Sequence, residues 1–237
     1  MKTIFLTSFH PLISRNILMS GLLPLLTREQ RVVIFVPAQK AGYFQEHFSG
    51  PRISIEGVST ELGKHDLFFR KLFLACTPTS DLFIKKRAEY FKDHKLFSYL
   101  ATVIPALLIG RMHWCVRLLR RLDAHSANFA RFGEFFDRYR PMLVVSTDVQ
   151  NEMDLSLMRE AKARGVETLG MVRSWDNLTS KGILRTIPDR LVVHNEIIKA
   201  EAARYSFIDP AIMSVNGIPH YDRYYRAREQ LRAPAAA

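Results

Sequence analysis

Cysteine is almost missing from this chain: Cys76 and Cys115 are the 2 in 237 residues. That excludes a disulfide framework, and their spacing matches no zinc motif, so a reducing compartment fits. There is no Walker-type phosphate loop, no three-glycine dinucleotide fingerprint after the first apolar run, and no Gly-x-Ser-x-Gly elbow. His-x-Glu and paired-cysteine zinc spacings are absent as well. These absences leave transfer or binding chemistry, with no metal and no resident cofactor. Long hydrophobic runs are equally scarce. The longest uncharged stretch, 96–110, is interrupted by Pro105 and falls short of the roughly 20 residues a spanning helix needs. At the amino terminus Met1 and Lys2 precede an apolar run that His10, Pro11 and Arg15 end early, with no small-residue cleavage site. The expectation is a first buried strand in a cytoplasmic protein, soluble or peripheral on the inner face of a membrane. Acidic residues are the last shortage. Against 34 Lys and Arg stand 23 Asp and Glu, a net charge of +11, which favours an acidic partner: nucleic acid, anionic lipid or a phosphorylated substrate.

Alternating strand-like and helix-like runs make up most of the chain. Residues 3–9, 31–37, 53–58, 142–147, 166–172, 190–193 and 212–215 read as short buried strands. Between them lie helical patterns at 13–26, 42–48, 153–164, 196–205 and 221–232, and a long helical region over 67–139 with breaks near Pro78, Pro105 and Asp123. Strand, crossover and strand repeated this way predict an α/β fold, a Rossmann-like doubly wound parallel sheet. No internal repeat at solenoid periods is visible.

The helical region is unlike the rest. Lys85, Lys86, Arg87, Arg111, Arg117, Arg120 and Arg121 are interleaved with aromatics that include Trp114, and these eight are the candidate membrane contacts. A basic, aromatic-rich helix suits an anionic membrane face. The competing reading is a helical insertion packed on the sheet with its cations solvated.

Ligand chemistry in open α/β sheets gathers in loops after strand carboxyl ends. His10 follows the first strand and is a candidate general base, or else a loop residue that orients backbone before Pro11. Asp148 follows the fourth strand and either orients a hydroxyl or histidine, or caps the next helix. The polar loop 174–182 is the densest signal: Ser174, Trp175, Asp176, Asn177, Thr179 and Lys181, closed by Gly182. Trp175 offers a stacking face, Asp176 a second candidate base, and Lys181 a cation for phosphate; the alternative is side-chain turns with Trp175 in the core. Asn195, Gly217 and His220 stand in two further polar clusters, 193–195 and 216–222.

Taken in order, residues 5–11 with Arg15 and Asn16, the 174–182 loop, Pro188-Asp189-Arg190 with Val193-His194-Asn195, and Val215-Asn216-Gly217-Ile218-Pro219 with Asp222 resemble GT-B-type glycosyltransferases. More narrowly, the chain resembles bacterial surface-polysaccharide transferases related to UDP-N-acetylglucosamine 2-epimerases and CDP-glycerol glycerophosphotransferases. The resemblance spans most of the chain except the basic helices. It implies one half of a GT-B fold: residues 1–226 as the amino-terminal, acceptor-side domain, with the basic helical region 65–139 inserted, and 227–237 as a helix end and disordered tail. The donor-binding half is absent. A nucleotide sugar is then the donor substrate, a separate donor-binding chain the partner, and a lipid-linked acceptor or anionic membrane surface a second partner. His10 or Asp176 would deprotonate the acceptor hydroxyl. The alternative is a noncatalytic module that binds a nucleotide, a glycan or an anionic surface; nucleic acid is the weakest of the partners, since no recognition motif for it appears.

Overall fold

The structure is a computed structural model that describes residues 1–94, 96–125, 131–222, 224–225 and 227–228, without the side chains of Ser14, Arg15 and His220. The tail at 233–237 and half of the final helix expected over 221–232 lie outside the described residues.

Seven parallel strands form one sheet in the order β3-β2-β1-β4-β5-β6-β7. They are β1 (Thr3–Thr7), β2 (Arg31–Pro37), β3 (Ile53–Val58), β4 (Leu143–Ser146), β5 (Glu167–Met171), β6 (Arg190–Val193) and β7 (Met213–Val215). The expected doubly wound α/β fold is what forms. Parallel strands covered on both faces read as near-continuous apolar runs, and β2, with Val32 to Val36 all buried, is the purest case. Alternate residues supply the two faces. Phe5, Val33 and Phe35 pack with Phe132, Phe135 and Phe136 on one side, while Leu6, Val32 and Ile34 meet Leu18, Leu23 and Phe44 on the other. The rings on the first side meet edge to face, with Phe5 and Phe35 at 4.8 Å and Phe35 and Phe135 at 5.2 Å between centroids, the arrangement ring quadrupoles favour.

The crossovers are helical. After β1 the chain makes α1 (Pro11–Ile13), a π-helical turn (Ser14–Leu18) and α2 (Leu22–Leu26). The single helix expected over 13–26 is therefore broken, where Gly21 and Pro24 weaken it. Then come α3 (Ala41–Phe48) after β2, and α4 (Lys64–Ala75), α5 (Ser80–Asp93), α6 (Leu96–Leu108), α7 (His113–His125) and α8 (Gly133–Tyr139) between β3 and β4. The remaining helices are α9 (Glu152–Ala163), α10 (Asn177–Ser180) and α11 (Glu196–Ser206). The basic helices have a topological reason: they form the connection that returns the chain from edge strand β3 to the sheet centre at β4.

Two expected helix breaks move. Pro105 lies inside α6; it removes one helical hydrogen bond, and the carbonyl it orphans belongs to the exposed Ala101. Asp123 lies inside α7, fully buried, and is held by Arg159 and by Arg185 at 2.8 and 2.9 Å, with Arg185 also reaching Glu152 at 2.6 Å. This buried ion network pins the helical insertion to α9. Among the described residues no single helix is long and apolar enough to cross a membrane; α6 and α7 pass that test only as a pair bent by 113°.

Candidate functional site

Strand order reverses direction at β1, whose two neighbours are β2 and β4. Such a switch point opens a crevice at the strand carboxyl ends, because the two flanking crossovers leave on opposite faces. Here the crevice is closed from below by hydroxyls. Thr147 donates from its amide to Thr7 Oγ1 at 2.9 Å, and from its own hydroxyl to the Thr7 carbonyl at 2.9 Å. Asp154, on the first turn of α9, accepts through Oδ1 from Thr7, from Ser146 at 3.0 Å and from the Asp148 amide at 3.3 Å. Its Oδ2 is buried without a partner among the described residues. Burial pushes the Asp154 carboxyl up to about 7, with the charge of Asp148 adding to the rise and the hydroxyl donors opposing it.

Above this floor sit the groups that face the crevice. Asp148 binds Arg173 through Oδ2, 2.6 Å from Nε, with both side chains buried. Its Oδ1 accepts from Asn177 at 3.2 Å, and Asn177 Oδ1 accepts from Lys181 at 2.8 Å. Asn151, not Asp148, caps α9, accepting from the Met153 amide at 2.9 Å; the capping alternative for Asp148 is corrected, and its carboxylate is left to hold Arg173. Arg173 Nη1 lies 3.2 Å from Nε2 and 3.4 Å from Nδ1 of His10. So even an approach to both nitrogens puts the guanidinium over the imidazole ring rather than in line with one lone pair. Burial first, then the cations Arg173, Lys181 and Lys40, hold the His10 pKa below its ordinary value, against the pull of Asp148. His10 is thus neutral at pH 7.

A cleft of about 450 Å³ opens over these residues. Lys40, Arg70, Arg173 and Lys181 line it together with His10, Asp148 and Glu152. Lys40 and Arg70 are exposed and make no ion pair among the described residues, so the cleft carries unneutralised positive charge, a setting for an anionic ligand.

The sequence candidates divide. The structure gathers His10, Asp148, Asn177 and Lys181 around Arg173. Asp176 is a correction: it does not line the cleft, and its carboxylate accepts from Ser174 at 2.5 Å and Ser180 at 3.2 Å. Burial alone would raise its pKa, but Ser174, Lys181 and Ser180 together hold it below the ordinary value, which makes it a poor base. Ser174 is occupied with Asp176. Thr179 takes a hydrogen bond on its carbonyl from Thr79 at 2.5 Å, fastening the loop to the start of α5. Trp175 is 74% exposed, so neither the core nor the cleft holds it. Asn195 caps α11 at the end of β6, accepting from the Ile198 amide at 2.9 Å. Gly217 follows β7 with φ +70°, a left-handed turn that suits glycine; both stand beyond β5, away from the switch point. The side chain of His220 lies outside the described residues.

Arg173, Asp154 and Thr7 escaped the sequence reading. An acidic residue in a helix's first turn reads as a complement to the dipole. The one hint was that Asp154 stands between Met153 and Leu155 in a run that is otherwise core.

Among the membrane candidates, Lys85, Arg87, Arg111, Arg117, Arg121 and Trp114 are exposed. Lys86 pairs with Glu89 at 2.7 Å. Arg120 is a correction: it turns inward and donates to the carbonyls of Leu184 at 2.8 Å and Ser206 at 2.7 Å.

Fold and site together define a Rossmann-like α/β protein with a basic cleft at its switch point. Compared with known proteins, no family model matches the chain and no curated protein matches it.

Proposed function

We propose that the chain is a glycosyltransferase-like acceptor-side domain, in which the switch-point cleft receives an anionic, hydroxyl-bearing acceptor. The observation that carries this reading is the placing of His10 in the wall of a cleft that the exposed, unpaired Lys40 and Arg70 also line. Lys40, Arg70 and Lys181 take the acceptor's negative charge, and His10 takes the hydroxyl proton as the acceptor oxygen bonds the anomeric carbon and the nucleoside diphosphate of the donor leaves with the electrons of the broken bond. Asp148 holds Arg173, and burial with Arg173 beside it favours the uncharged imidazole. The donor is a nucleotide sugar. The helical insertion supports a membrane-borne acceptor: Phe97, Ile104 and Leu108 of α6 and Trp114, Leu118 and Leu122 of α7 are all exposed, Phe97 by 86%.

A second reading, a binding module without catalysis, is favoured by one contact. The Leu12 amide donates to His10 Nδ1 at 3.2 Å. A neutral imidazole has one bare nitrogen, so this contact selects the Nε2–H form, a donor rather than a base.

The test combines the chain with donor-binding candidate chains, a panel of labelled nucleotide sugars and a polyprenyl diphosphate-linked sugar as the hydroxyl-bearing acceptor. Transfer that His10→Ala reduces at least about a hundredfold supports the first reading. Acceptor binding without transfer under every pairing supports the second. Neither binding nor transfer removes both.

A further inference from the structure

A second concavity, walled largely by the apolar stems of arginines and by Ala124, Ala163 and Ile187, lies outside the switch-point site and shares no lining residue with it. It is a groove of about 490 Å³ between α7 and α9, floored by Arg185, Thr186 and Ile187 just before β6. The inner arginines, Arg159 and Arg185, are matched by the buried carboxylates of Asp123 and Glu152. Lys162, on the α9 rim, pairs with Asp189 at 2.5 Å. Arg117, Arg120 and Arg121 are different: no carboxylate stands within ion-pair distance of any of them among the described residues.

Arg120 is the telling member. Its Nε and Nη2 donate to main-chain carbonyls, so it has given up water without gaining a counter-charge. Burial pushes its guanidinium down to about 10. A solvated surface arginine shows neither feature. The carboxyl end of α9 also points at this groove, but its dipole supplies only about half a negative charge, against three guanidiniums. Arg117 and Arg121 are one helical turn apart, so their forks can approach one group together.

We propose that this groove is a phosphate-binding site, in which Arg117, Arg120 and Arg121 receive a phosphomonoester or diphosphate group. Paired guanidinium forks match the several oxygens and multiple charge of phosphate better than a single carboxylate. The group comes from a free phosphorylated metabolite or from a lipid headgroup. The exposed row Trp114, Leu118 and Leu122 runs beside Arg117 and Arg121 on α7, which fits the lipid source.

The test uses the full chain, with calorimetric titration of inorganic diphosphate and co-sedimentation with phosphatidylcholine vesicles with and without phosphatidic acid. Saturable binding to diphosphate, weakened about tenfold or more by Arg117→Gln with Arg121→Gln, supports the site with a soluble ligand. Binding to phosphatidic acid vesicles alone, weakened by the same pair and by Leu118→Ser, supports it with a lipid ligand. Lys40→Gln with Arg70→Gln removes only what the switch-point cleft binds, so the component that Arg117→Gln with Arg121→Gln weakens is expected to persist in it. No binding to either probe, or binding that follows Lys40 and Arg70 instead, overturns the proposal. Because the two sites share no residue, either fails alone.

Discussion

Asp154 lies in the floor beneath the crevice that His10 lines, and burial shifts each toward its neutral form. For Asp154 the folded pKa of about 7 lies above the ordinary 3.8. The stability linked to the neutral acid is therefore complete below about pH 4, and lost as pH rises toward 7 and beyond. Asp154→Asn keeps an acceptor for Thr7, Ser146 and the Asp148 amide and removes the charge. Urea unfolding should find this variant more stable than wild type at pH 8 by a few kcal/mol, with the gap closing toward pH 5. An equal gap at both pH values would contradict a raised pKa. His10 runs the other way. Its depressed pKa means stability is present above 6.5 and falls as pH drops through the folded value. A change of His10→Gln should flatten the acid limb of the stability profile just below pH 6.5 without altering the alkaline side.

Helix α6 shows how one element answers to two demands. Its inner residues Thr102 and Ala106 are buried, whereas Leu96, Leu100, Ile104 and Leu107 are exposed. The uncharged stretch 96–110 is thus covered only on one side. Flotation with anionic and neutral vesicles tests the lipid side: Phe97→Ser with Ile104→Ser should reduce recovery with anionic vesicles, and unchanged recovery would leave α6 without that role. At the bend after α6, Gly110 packs on the turn that ends α4. A Cβ there would stand 1.7 Å from the Cys76 carbonyl oxygen, so the backbone must move. Gly110→Ala should destabilise the fold by about 3 kcal/mol, read as a shift in the urea midpoint.

Across the whole molecule, period and punctuation made the strands legible. The runs at 31–37, 53–58 and 190–193 match β2, β3 and β6 residue for residue, with β2 buried almost throughout and β3 and β6 marked by their β-branched residues. Strand order was not legible, since neighbours in the sheet are distant in sequence; nothing local says that β1 sits beside β4. The site was half legible for the same reason. His10, Asp148, Asn177 and Lys181 announced themselves as polar residues after apolar runs. Asp176 and Asn195 carried the same signal, but Asp176 accepts from the Ser174 and Ser180 hydroxyls and Asn195 caps α11, because the side chains that bind ligands also bind nearby hydroxyls and helix amides. Arg173 became visible only when β5 was laid against β4, bringing its guanidinium to Asp148.

The central claim is that the switch-point cleft holds an anionic ligand against a neutral His10. The most direct measurement is the titration of the His10 ring by NMR, with and without a polyprenyl phosphate analogue. In the free protein the midpoint should lie below the ordinary 6.5, and the bound phosphate should raise it by adding negative charge nearby. A midpoint at 6.5 in the free protein, unmoved when the analogue binds, would contradict the account.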